Sequence, residues 1–294
     1  MSTAVDIGAP SPPFPLARSE IDALVRHALD EDRASDDITT LATVAADSRC
    51  TGRAVTRSSG VVAGLPLALA AFRALDREVR VELVRRDGTR VGAGQELFSV
   101  TGSTRAILGA ERVALNFLQR LSGIASLTAQ FVDAVRGTRA QILDTRKTTP
   151  GLRALEKYAV RCGGGANHRA DLGSAILIKD NHIAAGGADV AATVHRARES
   201  VPPGMIVEVE CDTLAQVRSA VGAGADIILL DNMELSDLRG AVRLVDGRAL
   251  TEASGGVRLD TVRAIADTGV DRISVGALTH SAPALDIGLD FVLT

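Results

Sequence analysis

The chain has no tryptophan, one tyrosine and six phenylalanines, so aromatic residues make up only 2% of its 294 residues. Proteins that grip single-stranded nucleic acid stack bases on aromatic faces, and that platform is missing here. An excess of either charge is missing too. The 33 basic and 36 acidic side chains leave a formal net charge of −3, so no global field draws the molecule to nucleic acid or to an anionic membrane. Any affinity for anions must be local. No run of apolar residues is long enough to span a bilayer. The opening "MSTAVDIGAPSPPFPLARSE" has no basic segment followed by an apolar one, so no signal peptide is expected. The three cysteines, Cys50, Cys162 and Cys211, are far apart and form no CxxC pair, as suits free thiols in a reducing compartment. The triple glycine 163–165 fits neither the dinucleotide fingerprint nor the P-loop. These absences predict a soluble cytoplasmic protein that binds neither nucleic acid nor membrane.

What remains is a chain that is 46% apolar, with a core to be built from Ala, Val, Leu and Ile. Residues 1–17, punctuated by Pro and Ser, read as a disordered leader. "SEIDALVRHALDED" reads as a helix capped by Ser19. "CTGRAVTRSSGVVAG" and "VRVELVRRDGTRVGAGQELFSVTGS" read as short strands and turns around a helical "LPLALAAFRALD", which makes a small mixed α+β unit. Its hairpins resemble a biotinyl or lipoyl carrier. A carrier presents a lysine at a hairpin tip, however, and none precedes Lys147. A long helical stretch follows from Ser103 to about Arg136, with a break expected near Gly123. Beyond it, six short apolar runs ("AQILDT", "SAILIKD", "MIVEVEC", "ADIILLD", "RALTEAS", "DRISVG") are separated mostly by amphipathic helical segments. Strand alternating with helix implies a parallel sheet. Six units in roughly 140 residues fit a closed or nearly closed α/β barrel, with a doubly wound sheet as the alternative.

In a parallel barrel the site lies at the C-terminal ends of the strands. Here those ends carry Asp144 with Arg146 and Lys147, then Lys179, Glu210, Asp231 with Asn232, Ser254-Gly255-Gly256, and Gly276. The two glycine turns, each followed by a helical segment, suggest backbone N–H groups aimed at a phosphate. Glu210 and Asp231 end neighbouring strands. They can hold Mg²⁺, accept bonds from ribose hydroxyls, or balance nearby cations. Arg146, Lys147, His168, Arg169 and Lys179 lie on three segments that a barrel would gather. All three lysines of the chain, Lys147, Lys157 and Lys179, fall within residues 144–182. A pair of like charges at 4 Å costs about 4 kcal/mol at intermediate dielectric, so this site should want a multiply charged anion. Arginine forks suit carboxylates, and lysine suits phosphate as a movable point charge. Arg153, Lys157 and Arg161 read instead as the solvated face of a helix. Cys162, His168 and His182 have no recognised zinc spacing.

"DTRKTTPGLRALEKYAVRCGGGANHRADLGSAILIKDNH" resembles the central motif of the quinolinate phosphoribosyltransferases, the carboxylating nicotinate-nucleotide pyrophosphorylases. The resemblance runs from about residue 20 to the C-terminus through "DDITT", "GVVAG", "ERVALNFLQRLSGIAS", "EVECDTLAQ", "IILLDN", "EASGG" and "VGALTHSAPALDIGLD". It implies an α/β protein with the type II phosphoribosyltransferase fold. Residues 18–115 would form an open α/β sandwich, rejoined by the tail 284–294, and residues 116–283 an incomplete barrel of about seven strands. It implies a homodimer or larger homo-oligomer with shared sites. The implied reaction joins quinolinate and phosphoribosyl pyrophosphate, with Mg²⁺, into nicotinate mononucleotide, pyrophosphate and CO₂ on the de novo route to NAD.

By motif, the resemblance implies that Arg146, His168, Arg169 and Lys179 hold the quinolinate carboxylates, and that Lys147 reaches the pyrophosphate side. Glu210 and Asp231 would bind ribose hydroxyls or metal. Ser254, Gly255, Gly256, Gly276 and His280 would cradle the 5′-phosphate. Arg105, in "STRAIL", would enter a neighbouring subunit's site. Three rivals stay open: a paralogue of the same fold associated with molybdenum transport, an aldolase or isomerase barrel with Lys179 forming a Schiff base, and a non-catalytic anion sensor.

Overall fold

The computed structural model describes residues 11–187 and 189–293. In chain order the elements begin with α1 (Arg18–Glu31), α2 (Ile38–Thr43), β1 (Arg49–Thr56), β2 (Gly60–Val61), α3 (Leu65–Leu75), β3 (Arg80–Leu83), β4 (Arg90–Val91), β5 (Glu96–Ser103) and α4 (Thr104–Ala134). There follow β6 (Gln141–Leu143), α5 (Arg153–Cys162), β7 (Ile176–Ile178), α6 (Asp180–Ala185), α7 (Val190–Glu199), β8 (Val207–Cys211), α8 (Leu214–Gly222), β9 (Ile227–Asp231) and α9 (Leu235–Val245). The last are β10 (Leu250–Ser254), α10 (Val262–Ala266), β11 (Arg272–Ser274), α11 (Ala277–His280) and β12 (Ile287–Leu293). They form two compact units. The first holds the chain through Ala129, Ala154–Gly164 and the chain from Ala282 onward; the second holds Gln130–Arg153 and Gly165–Ser281.

In the first unit an antiparallel sheet runs in the order β12-β1-β5-β3, and β2 pairs with β4. The C-terminal strand lies along β1 in the register Thr56↔Ile287 to Cys50↔Leu293, so the tail does return to this sheet. Alternation fixes the faces: Cys50, Gly52, Ala54 and Thr56 of β1 are buried while their neighbours are not. Helix α1 begins two residues earlier than expected, because Glu20 accepts the Ala17 N–H at 2.7 Å and closes the helix start there, leaving Ser19 inside.

Several boundaries differ from expectation. Helix α4 is unbroken over 31 residues, so the proposed division at 115/116 falls inside a rigid rod. Gly123 marks a crossing point rather than a break: an added Cβ there would lie 2.1 Å from the Pro283 carbonyl oxygen. Helix α5 packs with the first unit. Its Lys157 is buried and so is Glu156, which receives Arg120 at 2.8 Å, so the solvated-face reading fails for Lys157. The leader prediction fails for residues 11–17, while residues 1–10 lie outside the described residues. Ser11 donates to the Asp87 carbonyl at 2.6 Å, Arg161 donates to the Pro13 carbonyl, and the Phe14 ring meets Tyr158 edge-on at 4.9 Å. The Tyr158 hydroxyl in turn donates to Asp87, whose carboxyl burial pushes above the usual range.

The second unit is a parallel sheet in the order β6-β11-β10-β9-β8-β7, with helices between the strands. These are the six apolar runs of the sequence. The sheet does not close through β6 and β7. At the free edge of β6, Ala166 alone makes a parallel bridge to Leu143, a one-residue vestige of a seventh strand. The barrel is therefore incomplete.

Candidate active site

The strand ends and their loops enclose a cavity of about 530 Å³ whose lining comes entirely from the second unit. Arg146 and Lys147 enter from the loop after β6, and His168 and Arg169 from the segment after Ala166. Lys179 follows β7, while Glu210, Asp231 and Ser254 close β8, β9 and β10, and Gly255 and Gly256 complete the wall. Ten of the thirteen expected residues thus share one cavity. Of the other expected residues of this unit, Gly276 and His280 stand beside Lys147. A side chain at Gly276 would come within 3.3 Å of Lys147 Cδ and 3.1 Å of His280 Nε2.

Asp144 explains how the first two cation pairs meet. Fully buried, its carboxylate accepts the Asn167 amide at 2.6 Å and the His168 N–H at 2.9 Å, which ties the end of β6 to the segment bearing His168 and Arg169. The Arg169 guanidinium also donates to the Ala175 carbonyl at 2.9 Å. The Nε–H groups of Arg146 and Arg169 are buried without partners. Burial first, and then the neighbouring Arg146 charge, pull the Arg169 guanidinium below its ordinary range. Two half-buried cations that repel one another and keep unspent donors are arranged to receive an anion.

The acids of the lining are each paired. Lys179 Nζ donates to Glu210 Oε2 at 2.8 Å, and Asn232 Nδ2 donates to Asp231 Oδ2 at 2.6 Å. Both residues line the cavity. Hard oxygen donors on adjacent strands fit Mg²⁺, which retains most of its waters and seeks phosphate oxygens.

Gly255 and Gly256 take φ values of +90° and +58°, left-handed positions that suit glycine and form a tight backbone turn at the cavity wall. Helix α10 begins only at Val262 and α11 is a single turn, so the expected helix N-terminus directly behind "SGG" is replaced by the glycine loop itself.

Within its own chain Arg105 is held by backbone carbonyls. Its Nε and Nη2 donate to the Val44 carbonyl at 3.0 and 2.7 Å, and Nη2 also to Leu41, beside the end of α2 in the first unit. The zinc set does not form: among the described residues the one cluster of metal-ligand type is His168, Glu208 and Glu252. Sequence reading passed over Glu208 and Glu252. The signal was there, since a period of two puts Glu208 on the face of Glu210 and Glu252 on the face of Ser254.

A family model described as Quinolinate phosphoribosyl transferase, N-terminal domain, matches residues 37–122, and its C-terminal counterpart matches residues 124–290. The nicotinate-nucleotide pyrophosphorylase (carboxylating) of Mycobacterium leprae is 48% identical over 287 residues, covering 94% of this chain and 99% of the relative. The probable enzyme of that name from Bacillus subtilis is 42% identical, covering 94% of each. The crystal structure of NadC from Streptococcus pyogenes superposes with a TM-score of 0.91 at 42% identity, covering 95% of this chain and 99% of that one.

Proposed function

The chain belongs to the quinolinate phosphoribosyltransferase family, and on that footing we propose that its barrel cavity joins quinolinate to phosphoribosyl pyrophosphate and releases pyrophosphate and CO₂. The observation that carries this reading is the make-up of the cavity wall: two arginines with spare donors, together with a glycine loop and two carboxylates.

Arg146 and Arg169 present planar forks suited to the two ring carboxylates, with His168 beside them. Ser254, Gly255 and Gly256 offer backbone N–H groups to the 5′-phosphate. Asp231 and Glu210 accept the ribose hydroxyls, and Lys147, near Gly276 and His280, supplies mobile positive charge toward the pyrophosphate. Mg²⁺ held by Glu210 and Asp231 would neutralise phosphate charge as pyrophosphate departs. The pyridine nitrogen forms its bond to ribose C1 as the C1–O bond to pyrophosphate breaks. The ring nitrogen, now positive, stabilises the electron pair that stays at C2 when CO₂ leaves, and that pair then takes up a proton in place of CO₂. The chain's part in these steps is positioning and fixed charge.

The aldolase reading needs a neutral lysine. Lys179 instead has its amine engaged in a 2.8 Å ion pair with Glu210. No described helix is long and apolar enough to cross a membrane. A homo-oligomer with shared sites is part of the proposal. The test is turnover: quinolinate should yield stoichiometric pyrophosphate and CO₂, and nicotinate should react at least ~100-fold less efficiently because one arginine fork is left unpaired. Equal reaction of nicotinate would refute the dicarboxylate assignment.

A further inference from the structure

Beneath the cavity, against His168, lie two ionisable side chains that the reaction above does not use. His168 Nε2 is 3.0 Å from Glu208 Oε2 and 3.5 Å from Glu252 Oε1, and the three groups lie within 4.8 Å of one another. Glu208 and Glu252 are 2% and 0% exposed, a rung below the cavity residues Glu210 and Ser254 on their strands. Neither oxygen of Glu252 has a hydrogen-bond partner of good geometry; the Ser274 hydroxyl and the His168 ring are its polar company. On the other side of the ring, His168 Nδ1 accepts the Arg169 N–H at 2.8 Å. An imidazole that accepts at Nδ1 carries its proton on Nε2, so Nε2–H donates to Glu208. The ring is thereby clamped between the barrel interior and the backbone of Arg169, whose guanidinium lines the cavity.

Two buried carboxylates this close do not both ionise readily. We propose that Glu252 is a positioning residue for the dicarboxylate substrate: as a neutral acid, it keeps His168 neutral and seated, holds Arg169 in place, and spares the bound dianion a second negative charge beneath it. The inference rests on the quinolinate reading above.

The groups around Glu252 bear this out. Glu208 on β8 repels its charged form, whereas His168 and Arg272 on β11 favour that form and Ser274 can bond to it. From β9, register places the apolar Leu229 opposite. Burial comes first among these influences, then Glu208, and together they raise the Glu252 carboxyl to about 7. The sign follows. Below that pH the acid form that suits the dianion is already present. Above it, substrate binding must take up a proton, and the quinolinate KM rises by up to roughly tenfold per pH unit.

The experiment measures KM for each substrate and kcat from about pH 6 to about pH 9 in the full-length protein and in Glu252→Gln. Glutamine keeps the shape without the charge. The expected result is a quinolinate KM that climbs above about pH 7 in the parent and stays flat in Glu252→Gln, with the phosphoribosyl pyrophosphate KM following one curve in both. A quinolinate KM with the same pH dependence in both proteins overturns the proposal. So does retention of one divalent cation per chain at the cluster after chelation. If Glu252→Gln does not fold, ¹⁵N spectra of the histidine-labelled parent decide: His168 as a neutral Nε2–H imidazole near neutral pH supports the proposal, and an imidazolium overturns it. A parent with no turnover of quinolinate would strike the underlying reading instead, and so is distinguishable.

Discussion

Gly255 and Gly256 offer a contrast that tests the phosphate loop. Both have positive φ, so alanine at either costs about 1–2 kcal/mol in backbone strain. Their surroundings differ. A Cβ on Gly256 meets open space, but one on Gly255 would fall 2.2 Å from Asn232 Oδ1, against the 3.4 Å at which ordinary contact begins. In a close-packed site either the glycine loop or Asn232 must then move by more than ~1 Å. If Asn232 moves, it releases Asp231, whose Oδ2 it holds at 2.6 Å. If the loop moves, the N–H groups proposed to hold the phosphate move with it. Gly256→Ala should therefore weaken phosphoribosyl pyrophosphate by at most about tenfold, the equivalent of ~1.4 kcal/mol. Gly255→Ala should weaken it by roughly 100-fold or more, and neither should move quinolinate binding more than about threefold. Calorimetric titration of each substrate, alongside melting curves to confirm folding, measures both effects. Equal losses in the two variants, or a loss of quinolinate affinity that matches the loss of phosphoribosyl pyrophosphate affinity, would refute the placement of the phosphate.

Arg169→Lys keeps a cation but removes the fork, so quinolinate KM should rise ~10–100-fold with the other substrate's KM nearly unchanged; parallel changes in both would argue against a carboxylate contact. Arg105→Ala removes the guanidinium contacts to Val44 and Leu41 and should lower stability by about 1–2 kcal/mol in denaturant titration. Mixing inactive Arg105→Ala and Lys147→Ala homo-oligomers separates that structural role from a shared-site role: activity regained on subunit exchange would establish the latter, and none is expected if the carbonyl contacts are the whole of its function.

Much of the second unit was legible because a strand announces itself with a short apolar run and its cavity end with the first polar residue after it. Asp231, Glu210 and Ser254 were placed by that rule alone. The same rule missed Glu208 and Glu252, whose two-residue spacing from the cavity residues was visible but whose burial runs against the habit of reading charge as surface. Errors in the first unit share another cause. Lys157, Gly123 and residues 11–17 were judged from local composition, yet each is governed by a chain segment distant in sequence: Lys157 is buried because α5 packs with the first unit, Gly123 is small because Pro283 crosses it, and residues 11–17 are held by Asp87, Tyr158 and Arg161. Arg105 likewise has carbonyl partners about 60 residues earlier that no motif announces. Local pattern thus locates the groups that meet substrate at strand ends, whereas the groups that hold them in place are set by contacts between distant segments. The Glu252 proposal tests that division where it is sharpest, in a residue that touches no substrate yet sits one rung below one that should.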